Sequence, residues 1–383
     1  MILTTCAACA APLALDAPRC VRCKVRYCDS TCQHDHWRRG HKQMCKKIHR
    51  GGNAEQYHAD KKYKEAVAAA VEKCAADTKG QTCYICTQAL HWKTKEGLVR
   101  GCACRGTSGF AHVSCLAEQA KILVAEGEEN NLGLKAKEAR WERWHTCSLC
   151  EQRYHGVVLC ALGWACWKTY VEREKTDCHR FHAMAILGSG LRAAFTLGSP
   201  QKEKEKFSKE ALRVFEAQLS ELQTLHKKAK VELQLNTMMN IAACYADLRW
   251  HEKSLSMKRE MYYKAEAFNY PFEGRLQIAI NLANSLIVLG HHAEAKSFLR
   301  QTIDMAIGVL GPTAKLNHVR VLTLRAILGN VCFRSAASRE DVAEAERIIA
   351  DVLKNERRVL GPAHPETLST QRDLEKVRAV LRA

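Results

Sequence analysis

Seven cysteines and one histidine fall within forty residues near the N-terminus, in a pattern that suits metal binding. Two Cys pairs are separated by two residues, the usual spacing of a zinc knuckle. A Cys–Cys pair and a His–Cys pair are separated by three residues, which on a helix places both side chains on one face. Eight such ligands fill two tetrahedral zinc sites. The eight residues are Cys6, Cys9, Cys20, Cys23, Cys28, Cys32, His41 and Cys45.

This segment resembles the MYND zinc finger, and all eight ligand positions of that family are filled. The family's glutamine and tryptophan after the sixth ligand correspond to Gln33 and Trp37. The resemblance implies interleaved sites, one formed by Cys6, Cys9, Cys28 and Cys32 and the other by Cys20, Cys23, His41 and Cys45. It also implies that the finger binds short proline-containing peptides, with Tyr27, Gln33 and Trp37 as the expected contacts.

The composition of the chain is that of a globular protein with two or three domains. It has 383 residues, of which 47% are hydrophobic. It contains no run of about 18 apolar residues, the length that would predict a membrane span. The first residues lack a basic start, and Cys6 and Cys9 lie where a secretory signal would have its apolar run. Twenty cysteines without a signal favour a reducing, intracellular compartment, cytoplasmic or nuclear, and metal sites rather than disulfides.

The formal net charge of +18 counts every cysteine as neutral. Fourteen thiolates holding four Zn²⁺ ions would lower it by six, to +12, and residues 1–50 contain ten Lys or Arg residues against three Asp. A nucleic acid or an acidic partner is one interpretation of this balance, and a solvated basic face is the other. No basic run interleaved with aromatic residues supports base stacking, so we favour the solvated face and keep a nucleic-acid-associated regulator as a lesser alternative.

A second series of potential metal ligands, in the order four cysteines, one histidine and three cysteines, occupies residues 83–150. The Cys-x-Cys-Arg-Gly motif from Cys102 to Gly106 and the His-x-x-Cys motif from His112 to Cys115 resemble the RING-CH variant of the RING finger. The resemblance implies a cross-brace with two further Zn²⁺ ions. One ion is expected on Cys83, Cys86, His112 and Cys115, and the other on Cys102, Cys104, Cys147 and Cys150.

The resemblance to RING-CH modules implies a ubiquitin-conjugating enzyme as a partner, and the sequence also departs from the family pattern. Ile85 lies where RING fingers place an apolar contact to a ubiquitin-conjugating enzyme, and Arg153 is a candidate for the basic residue that contacts ubiquitin. The interval between Cys115 and Cys147 is long, and the tryptophan and proline of many relatives are missing. No RING supplies a catalytic nucleophile. Two interpretations stay open: a RING-type ubiquitin ligase, and a structural zinc module without catalysis.

From about residue 181 the chain is helical and repeated. Four apolar–small cores are each followed by a small residue on a second helix: Leu187-Gly188 by Ala211, Ile241-Ala242 by Ser254, Leu282-Ala283 by Ala295, and Leu328-Gly329 by Ala345. These copies resemble tetratricopeptide (TPR) repeats, and the segment Leu360 to Leu368 resembles the kinesin-light-chain type. The alternative is a helical bundle without a groove. Candidates for lining a concave face are Asn236, Asn240, Asn281 and Asn284.

The sequence lacks the signatures that would make the metal sites catalytic. No Asn-His-x-Cys-x-Pro-Asn signature of the SET methyltransferases that accompany some MYND fingers is found, nor a phosphate-binding loop, a nucleophile elbow or a His-Glu-x-x-His motif. We therefore predict closed, structural zinc sites and no catalytic residue.

These observations predict a mainly α protein with two small zinc modules followed by an α-solenoid. The expected segments are a finger at 1–50, a helical linker at 51–77, a RING-CH-like module at 78–158, a bridging helix at 159–180, and TPR-like pairs with a capping helix at 181–383. The favoured function is an adaptor that binds proline-containing peptides at the finger and extended or helical segments in the solenoid groove. A ubiquitin ligase with the solenoid as substrate reader is the alternative.

Overall fold

The computed structural model describes residues 5–14, 17–195, 200–224 and 231–382, and the described fold is helical. The predicted mainly α class is therefore confirmed. In these ranges β pairing is limited to four isolated bridges, which join Thr5 to Pro12, Arg19 to Arg26, Val99 to Ala111 and Thr146 to Arg153. The chain divides into two compact units, Met1–Lys227 and Lys228–Ala383.

The first unit contains eight described α-helices. They are α1 (Ser30–His36), α2 (Lys42–Arg50), α3 (Ala54–Thr78), α4 (Val113–Glu129), α5 (Leu134–Trp141), α6 (Gly156–Tyr170), α7 (Cys178–Ala193) and α8 (Gln201–Gln223). A π-helical turn, Trp37–His41, joins α1 to α2, and a 3₁₀ turn, Glu142–Trp144, follows α5. Asn53 caps α3 by accepting hydrogen bonds from the backbone N–H groups of Glu55 and Gln56.

Helix α6 is the centre of the first unit, because it is apolar on nearly every side and buried from Val158 to Trp167. It packs against α3, α4 and α7. Two glycines allow the backbones of α6 and α7 to touch: a Cβ on Gly190 would lie 2.7 Å from the Leu159 carbonyl oxygen, and one on Gly163 would lie 3.1 Å from that of Ile186. Small residues at these positions bring the two helices close together.

The segment predicted as one bridging helix over 159–180 contains a helix end and a helix start. Helix α6 begins at Gly156 and ends at Tyr170, and α7 begins at Cys178. The Asp177 carboxylate accepts a hydrogen bond of 2.8 Å from the His179 backbone N–H. An aspartate in this position starts a new helix rather than continuing the old one.

A buried arginine ties three helices of the first unit together. Arg180 on α7 is 2% exposed and lies over the Trp167 ring. It donates to the Val171 carbonyl and to the carboxylates of Glu55 on α3 and Glu221 on α8, the last two at 3.4 Å. A buried guanidinium is tolerated because these acceptors replace its lost hydration.

The second unit is built from antiparallel helix pairs. Its helices are α9 (Val231–Asp247), α10 (His251–Ala267), α11 (Phe272–Val288), α12 (His292–Leu310), the short α13 (Ala314–Asn317), α14 (Val319–Arg334), α15 (Arg339–Val359) and α16 (Pro365–Arg382). Contacts are densest between α14 and α15, α9 and α10, and α15 and α16, and the contacts of α10 with α11 and of α12 with α14 come next. None of the helices in the described ranges is long and apolar enough to cross a membrane.

Three of the predicted repeat cores lie in the second unit, on α9, α11 and α14, and the fourth lies on α7 in the first unit. Their small partners are buried on the paired helices. The Ser254 hydroxyl on α10 donates to the Ala242 carbonyl on α9 at 2.8 Å. On α14, a Cβ at Gly329 would lie 2.5 Å from Cγ1 of Ile349 on α15. The pairing signal in the sequence therefore reflects real close approaches between helices.

We predict that Gly329→Ala lowers the free energy of unfolding of the second unit by ~1–2 kcal/mol, since the cost of overpacking against Ile349 exceeds the helix propensity that alanine gains. Gly308→Ala is the matched control, because Gly308 lies in α12 with no atom within 4 Å of its Cβ position. The control should gain ~0.5–1 kcal/mol. Urea unfolding followed by circular dichroism measures both. A gain for both variants would show that α15 moves away from α14 without cost.

Candidate metal centres

The structure brings the sixteen predicted ligands together as four clusters. Within each cluster the ligand atoms all lie within 4.8 Å of one another. In the first module the clusters are Cys6, Cys9, Cys28 and Cys32, and Cys20, Cys23, His41 and Cys45; in the second they are Cys83, Cys86, His112 and Cys115, and Cys102, Cys104, Cys147 and Cys150. Each cluster joins residues that are far apart in sequence, as a cross-brace requires.

The spacing of the sulfur atoms fits a tetrahedral zinc site. With Zn–S bonds of about 2.3 Å, two sulfur ligands of one tetrahedron lie about 3.8 Å apart. A disulfide would require about 2.05 Å, and the cysteines are free. The Sγ–Sγ separations are 3.6 Å for Cys9–Cys28, 3.8 Å for Cys9–Cys32, 3.7 Å for Cys20–Cys45 and 3.8 Å for Cys104–Cys147.

The two histidines present different nitrogen atoms to their clusters. His41 places Nε2 3.4 Å from the Cys23 Sγ, and its ring is buried. His112 places Nδ1 3.3 Å from the Cys86 Sγ and 3.6 Å from the Cys115 Sγ. The other nitrogen of His112, Nε2, lies 3.4 Å from the Ala89 carbonyl oxygen. A carbonyl behind the ring fixes the tautomer that leaves Nδ1 available for a metal.

The four Cys-x-x-Cys ligand pairs that begin at Cys6, Cys20, Cys83 and Cys147 lie on turns with the same backbone conformation. In each turn the N–H four residues after the first cysteine donates to that cysteine's carbonyl at 2.8–3.0 Å. The donor residue has a left-handed φ of 55–62° in every case, although none is glycine. This conformation costs free energy that the surrounding structure must offset. The donors are Ala10, Lys24, Thr87 and Glu151.

Backbone N–H groups also point at the sulfur atoms. Ala8 and Ile85 donate to the Sγ of Cys6 and Cys83 at 3.4 Å, and Leu149 donates to that of Cys147 at 3.5 Å. Burial raises the pKa of the Cys6 thiol, but the backbone N–H groups around it outweigh this effect and hold the pKa at about 6. These donors stabilise a thiolate, the form that binds metal.

Thiolates crowded together need a cation. Burial raises the pKa of the Cys23 thiol to about 12, and the neighbouring Cys9 raises the pKa of Cys28 to about 11. Several negative charges within 4 Å are unfavourable unless a positive ion lies between them. A divalent ion removes this repulsion and releases the thiol protons. Donor chemistry and spacing therefore both fit Zn²⁺.

A fifth turn repeats the knuckle backbone without a cysteine pair, and the sequence analysis missed it. The N–H of Lys95 donates to the His91 carbonyl at 2.9 Å, and Lys95 has a φ of 58°. Thr94 donates to His91 Nδ1 through its N–H at 3.1 Å, and its hydroxyl lies 2.9 Å from the same nitrogen. Hydrogen bonding between Thr94 and His91 thus closes this turn in place of a metal ion. The spacing His-x-x-Thr was the feature of the sequence that could have predicted it. Trp92, at the tip, is 68% exposed.

The expected peptide contacts of the finger differ in accessibility. Trp37 is 42% exposed, and Gln33, one helical turn earlier, is half-buried. Tyr27 is fully buried, and its hydroxyl lies 3.0 Å from Nδ1 of His36. Its ring fills the core beside the metal ligands. The expectation that Tyr27 contacts a peptide is therefore corrected, because its ring presents no free surface.

The two expected conjugating-enzyme contacts lie near separate turns of the second module. Ile85 is 36% exposed on the 83–86 turn, and Arg153 is exposed after the 147–150 turn. The Tyr84 hydroxyl lies 3.1 Å from the Ser148 hydroxyl, which places these two turns side by side. Leu149, which the sequence analysis did not single out, is 51% exposed on the second turn.

The four asparagines singled out on the repeat helices are all at least partly accessible. Asn236 and Asn284 are exposed, and Asn240 and Asn281 are half-buried. A groove of about 610 Å³ in the same unit is lined by polar residues of α11, by the start of α14 and by Glu366 of α16. In this groove Glu273 accepts from Arg320 and lies 2.7 Å from Nε2 of His318.

The comparisons with known proteins give one family match and several similar solved structures. Residues 6–45 match the family model of the MYND finger, and no curated protein matches the chain. Two crystal structures of a Podosopora anserina putative kinesin light chain with nearly identical TPR-like repeats align at 14% and 13% identity. Each has a TM-score of 0.41 and covers 64% of this chain and 97% of that one.

A third solved structure is that of a Rap protein complexed with Competence and Sporulation Factor. It aligns at 12% identity with a TM-score of 0.35, and the alignment covers 69% of this chain and 72% of that one.

We predict that Cys102→Ser removes bound metal and unfolds the second module, since structural zinc contributes ~10–16 kcal/mol of binding free energy to folding in small fingers. Metal content and trypsin resistance across residues 80–155 report the loss. Cys74→Ser is the control, because Cys74 belongs to none of the four clusters and its Sγ donates to the Arg100 carbonyl at 3.6 Å, a hydrogen bond that a serine hydroxyl can also donate. Unchanged resistance in Cys102→Ser would show that the metal contributes little to the fold there.

Proposed function

We propose that this protein is a zinc-binding adaptor that joins protein partners through its MYND finger and its helix pairs. The observation that carries the proposal is the closed character of the metal clusters. Each cluster offers four ligand atoms, which fill a tetrahedral site and leave no position for water or a substrate. The ions, which we propose to be two Zn²⁺ in each module, therefore hold surfaces in place, and binding falls to the exposed side chains.

The finger offers Trp37 and Gln33 as a peptide surface. The Trp37 indole lies edge-on against the His41 ring, with centroids 5.8 Å apart. Because His41 belongs to a metal cluster, the ion would fix the ring that supports Trp37. An exposed aromatic on a rigid support loses little conformational entropy on binding, which is typical of binding hot spots. Short proline-containing peptides are the proposed ligands here.

The second unit offers the groove beside α11 and α14 as a separate surface. The amides of Gln277 and Asn317 in this groove can donate to and accept from a peptide backbone, and the Glu273–His318–Arg320 cluster supplies charge. Extended or helical segments are the proposed ligands. Two surfaces in separate units would let the protein bind two partners at once.

We predict that Trp37→Ala weakens peptide or partner capture by at least about tenfold, because a buried aromatic anchor typically contributes ~2 kcal/mol or more. Calorimetry with a captured peptide measures the change, and metal content verifies that the finger stays folded. Trp92→Ala is the matched control, since it removes an exposed tryptophan from the second module. Equal capture by wild-type protein and Trp37→Ala would exclude the finger surface as the binding site.

A ubiquitin ligase is the second candidate, favoured by one observation on the second module. Ile85 and Leu149 lie on turns that the Tyr84–Ser148 contact holds together, and both are exposed. Two apolar side chains on paired zinc turns suit the docking of a conjugating enzyme. The proposed module would position a charged enzyme and would supply no nucleophile.

Under this second function we predict that the full-length protein accelerates ubiquitin discharge from a charged conjugating enzyme and that Ile85→Ala reduces this by about tenfold or more, as expected for a central apolar contact. A panel of charged enzymes, followed by gel electrophoresis, measures the rate. Leu134→Ala is the control, because Leu134 is 74% exposed on α5. No discharge across the panel would leave the second module with a structural role.

A further inference from the structure

The four metal clusters differ in how far solvent can reach their ligands. In the cluster of Cys6, Cys9, Cys28 and Cys32, which we call the outer cluster, Cys9 and Cys28 are exposed and Cys32 is half-buried. All four ligands of the other finger cluster are buried, the most accessible being Cys20 at 5% exposed. Both clusters of the second module combine buried with half-buried ligands. Of the sixteen ligands, all within the described ranges, only Cys9 and Cys28 are exposed.

The two exposed cysteines also lie close to each other. Their Sγ atoms are 3.6 Å apart, although Cys9 and Cys28 are separated by 19 positions in the sequence. A disulfide needs about 2.05 Å between its sulfur atoms. Cys20 and Cys45 of the buried cluster are separated by a similar 3.7 Å, but they lie in the finger core with Tyr27. Solvent access therefore distinguishes the two pairs, whereas sulfur spacing does not.

Little packing holds the segment that carries two of the outer ligands. Helix α1 begins two residues after Cys28 and has Cys32 in its first turn, and none of its seven residues is buried. Asp29 caps it by accepting from the Cys32 N–H at 2.7 Å. At its other end the His36 ring stacks on the His41 ring, with centroids 4.7 Å apart. Because a helix this short is unstable by itself, the first turn of α1 depends on its cap and on the shared metal.

We propose that Cys9 and Cys28 form a peroxide-sensitive site, where oxidation to a disulfide releases the ion of the outer cluster while the other three clusters keep theirs. One thiolate attacks hydrogen peroxide, the O–O bond breaks, and a sulfenic acid and a hydroxide ion form. The second thiolate attacks the sulfenic sulfur, an S–S bond forms, and a second hydroxide ion leaves. Two protons from solvent convert both hydroxide ions to water. The two sulfur atoms lose the two electrons that the peroxide gains.

Exposure decides which cluster reacts first. Metal binding makes the cysteine ligands of all four clusters thiolates, so thiolate character does not separate the clusters from one another. Susceptibility to oxidation then follows access of the oxidant to the sulfur atom. A disulfide between Cys9 and Cys28 leaves Cys6 and Cys32 as the remaining thiolates of the outer cluster. Two ligands are too few for a closed tetrahedral site.

Oxidation at this site would loosen one side of the finger. Without the outer metal the first turn of α1 loses its support, and Gln33 lies in that helix. Trp37 keeps its contact with the His41 ring, which belongs to the buried cluster. The consequence for peptide capture rests on the proposed peptide-binding function, whereas the oxidation does not. Thiols reverse the change, because thiolate exchange reopens a disulfide.

The test treats the metal-loaded full-length protein with rising concentrations of hydrogen peroxide. A chromogenic chelator measures released zinc, mass spectrometry of the digested protein locates disulfides and oxidised thiols, and hydrogen exchange follows the amides of α1 and α2. Cys9→His is the protecting variant, because an imidazole can bind zinc and cannot form a disulfide. Cys178→Ser is the matched control, since Cys178 is an exposed cysteine that belongs to none of the four clusters.

We expect one Zn²⁺ per chain to be released before the other three, together with a Cys9–Cys28 cross-link and faster exchange in α1 than in α2. Cys178→Ser should behave as the wild-type protein does. Cys9→His should release zinc at least about tenfold more slowly, because the first disulfide can no longer form. Dithiothreitol with added zinc should restore the original metal content.

Three other outcomes would overturn the proposal. Release of all ions together, or first from a buried cluster, would show that exposure does not order the reactions. Zinc release with the cross-link at another pair would assign the sensitivity to that pair. No release at peroxide concentrations that already oxidise Cys178 would show that the outer cluster is protected. If Cys9→His does not hold four ions, the position of the cross-link in the wild-type protein decides the question. A failure to capture peptides would leave each of these results unchanged.

Discussion

The structure depends on the mutual repulsion of closely packed thiolates and its relief by a cation. In each module, cysteines from distant turns lie 3.6–3.8 Å apart, a distance at which two thiolates repel each other unless a cation lies between them. Binding one shared ion fixes the loops between the ligands, because each cluster joins a turn from the beginning of its module to a segment that comes later in the sequence. A small core then suffices, and in the finger it consists largely of the ligands themselves, with Val25, Tyr27 and Ile48.

The same ligation decides which side chains remain for binding. Knuckle turns place their first cysteine inward and expose the residues between the ligands, so that Ile85 and Leu149 lie at tips. Non-glycine residues such as Lys24 and Glu151 hold left-handed backbones at these turns. The His91–Thr94 turn shows that the backbone shape can also be closed by a hydrogen bond. The exposed tips of these turns are therefore where partners would be distinguished.

The zinc modules and the helices of the first unit share one packed structure. The Ala54 N–H donates to the Cys23 carbonyl, and the His155 N–H donates to the Gly101 carbonyl, each at 2.8 Å. Gly101 faces Val158 of α6 closely enough that a Cβ would lie 2.5 Å from the valine Cβ. Arg180 then links α3, α7 and α8 through acceptors on each. A change in one of these elements should therefore be felt by the others.

The sequence by itself determined the ligand sets, the helical class and the helix pairs. These follow from short-range spacing: Cys-x-x-Cys limits a turn, and a small residue opposite an apolar core permits close helix packing, as Gly329 does against Ile349. The assignment of ligands to four clusters came from family resemblance, and the coordinates bring together the same sets. The predicted segment boundaries remain predictions.

Only the tertiary structure decided which side chains are accessible and where helices end. The residues next to Tyr27 in the sequence do not distinguish a buried tyrosine from an exposed one, yet packing around the ligands buries Tyr27 completely. Helix α6 ends at Tyr170, and the Asp177 cap, seven residues later, stabilises the start of α7. The sequence likewise does not show that Asp29 caps α1 and that Asp35 pairs with Arg39. The exposure of a side chain and its hydrogen-bond partners depend on residues that are distant in sequence, so the spacing of neighbouring residues does not determine them.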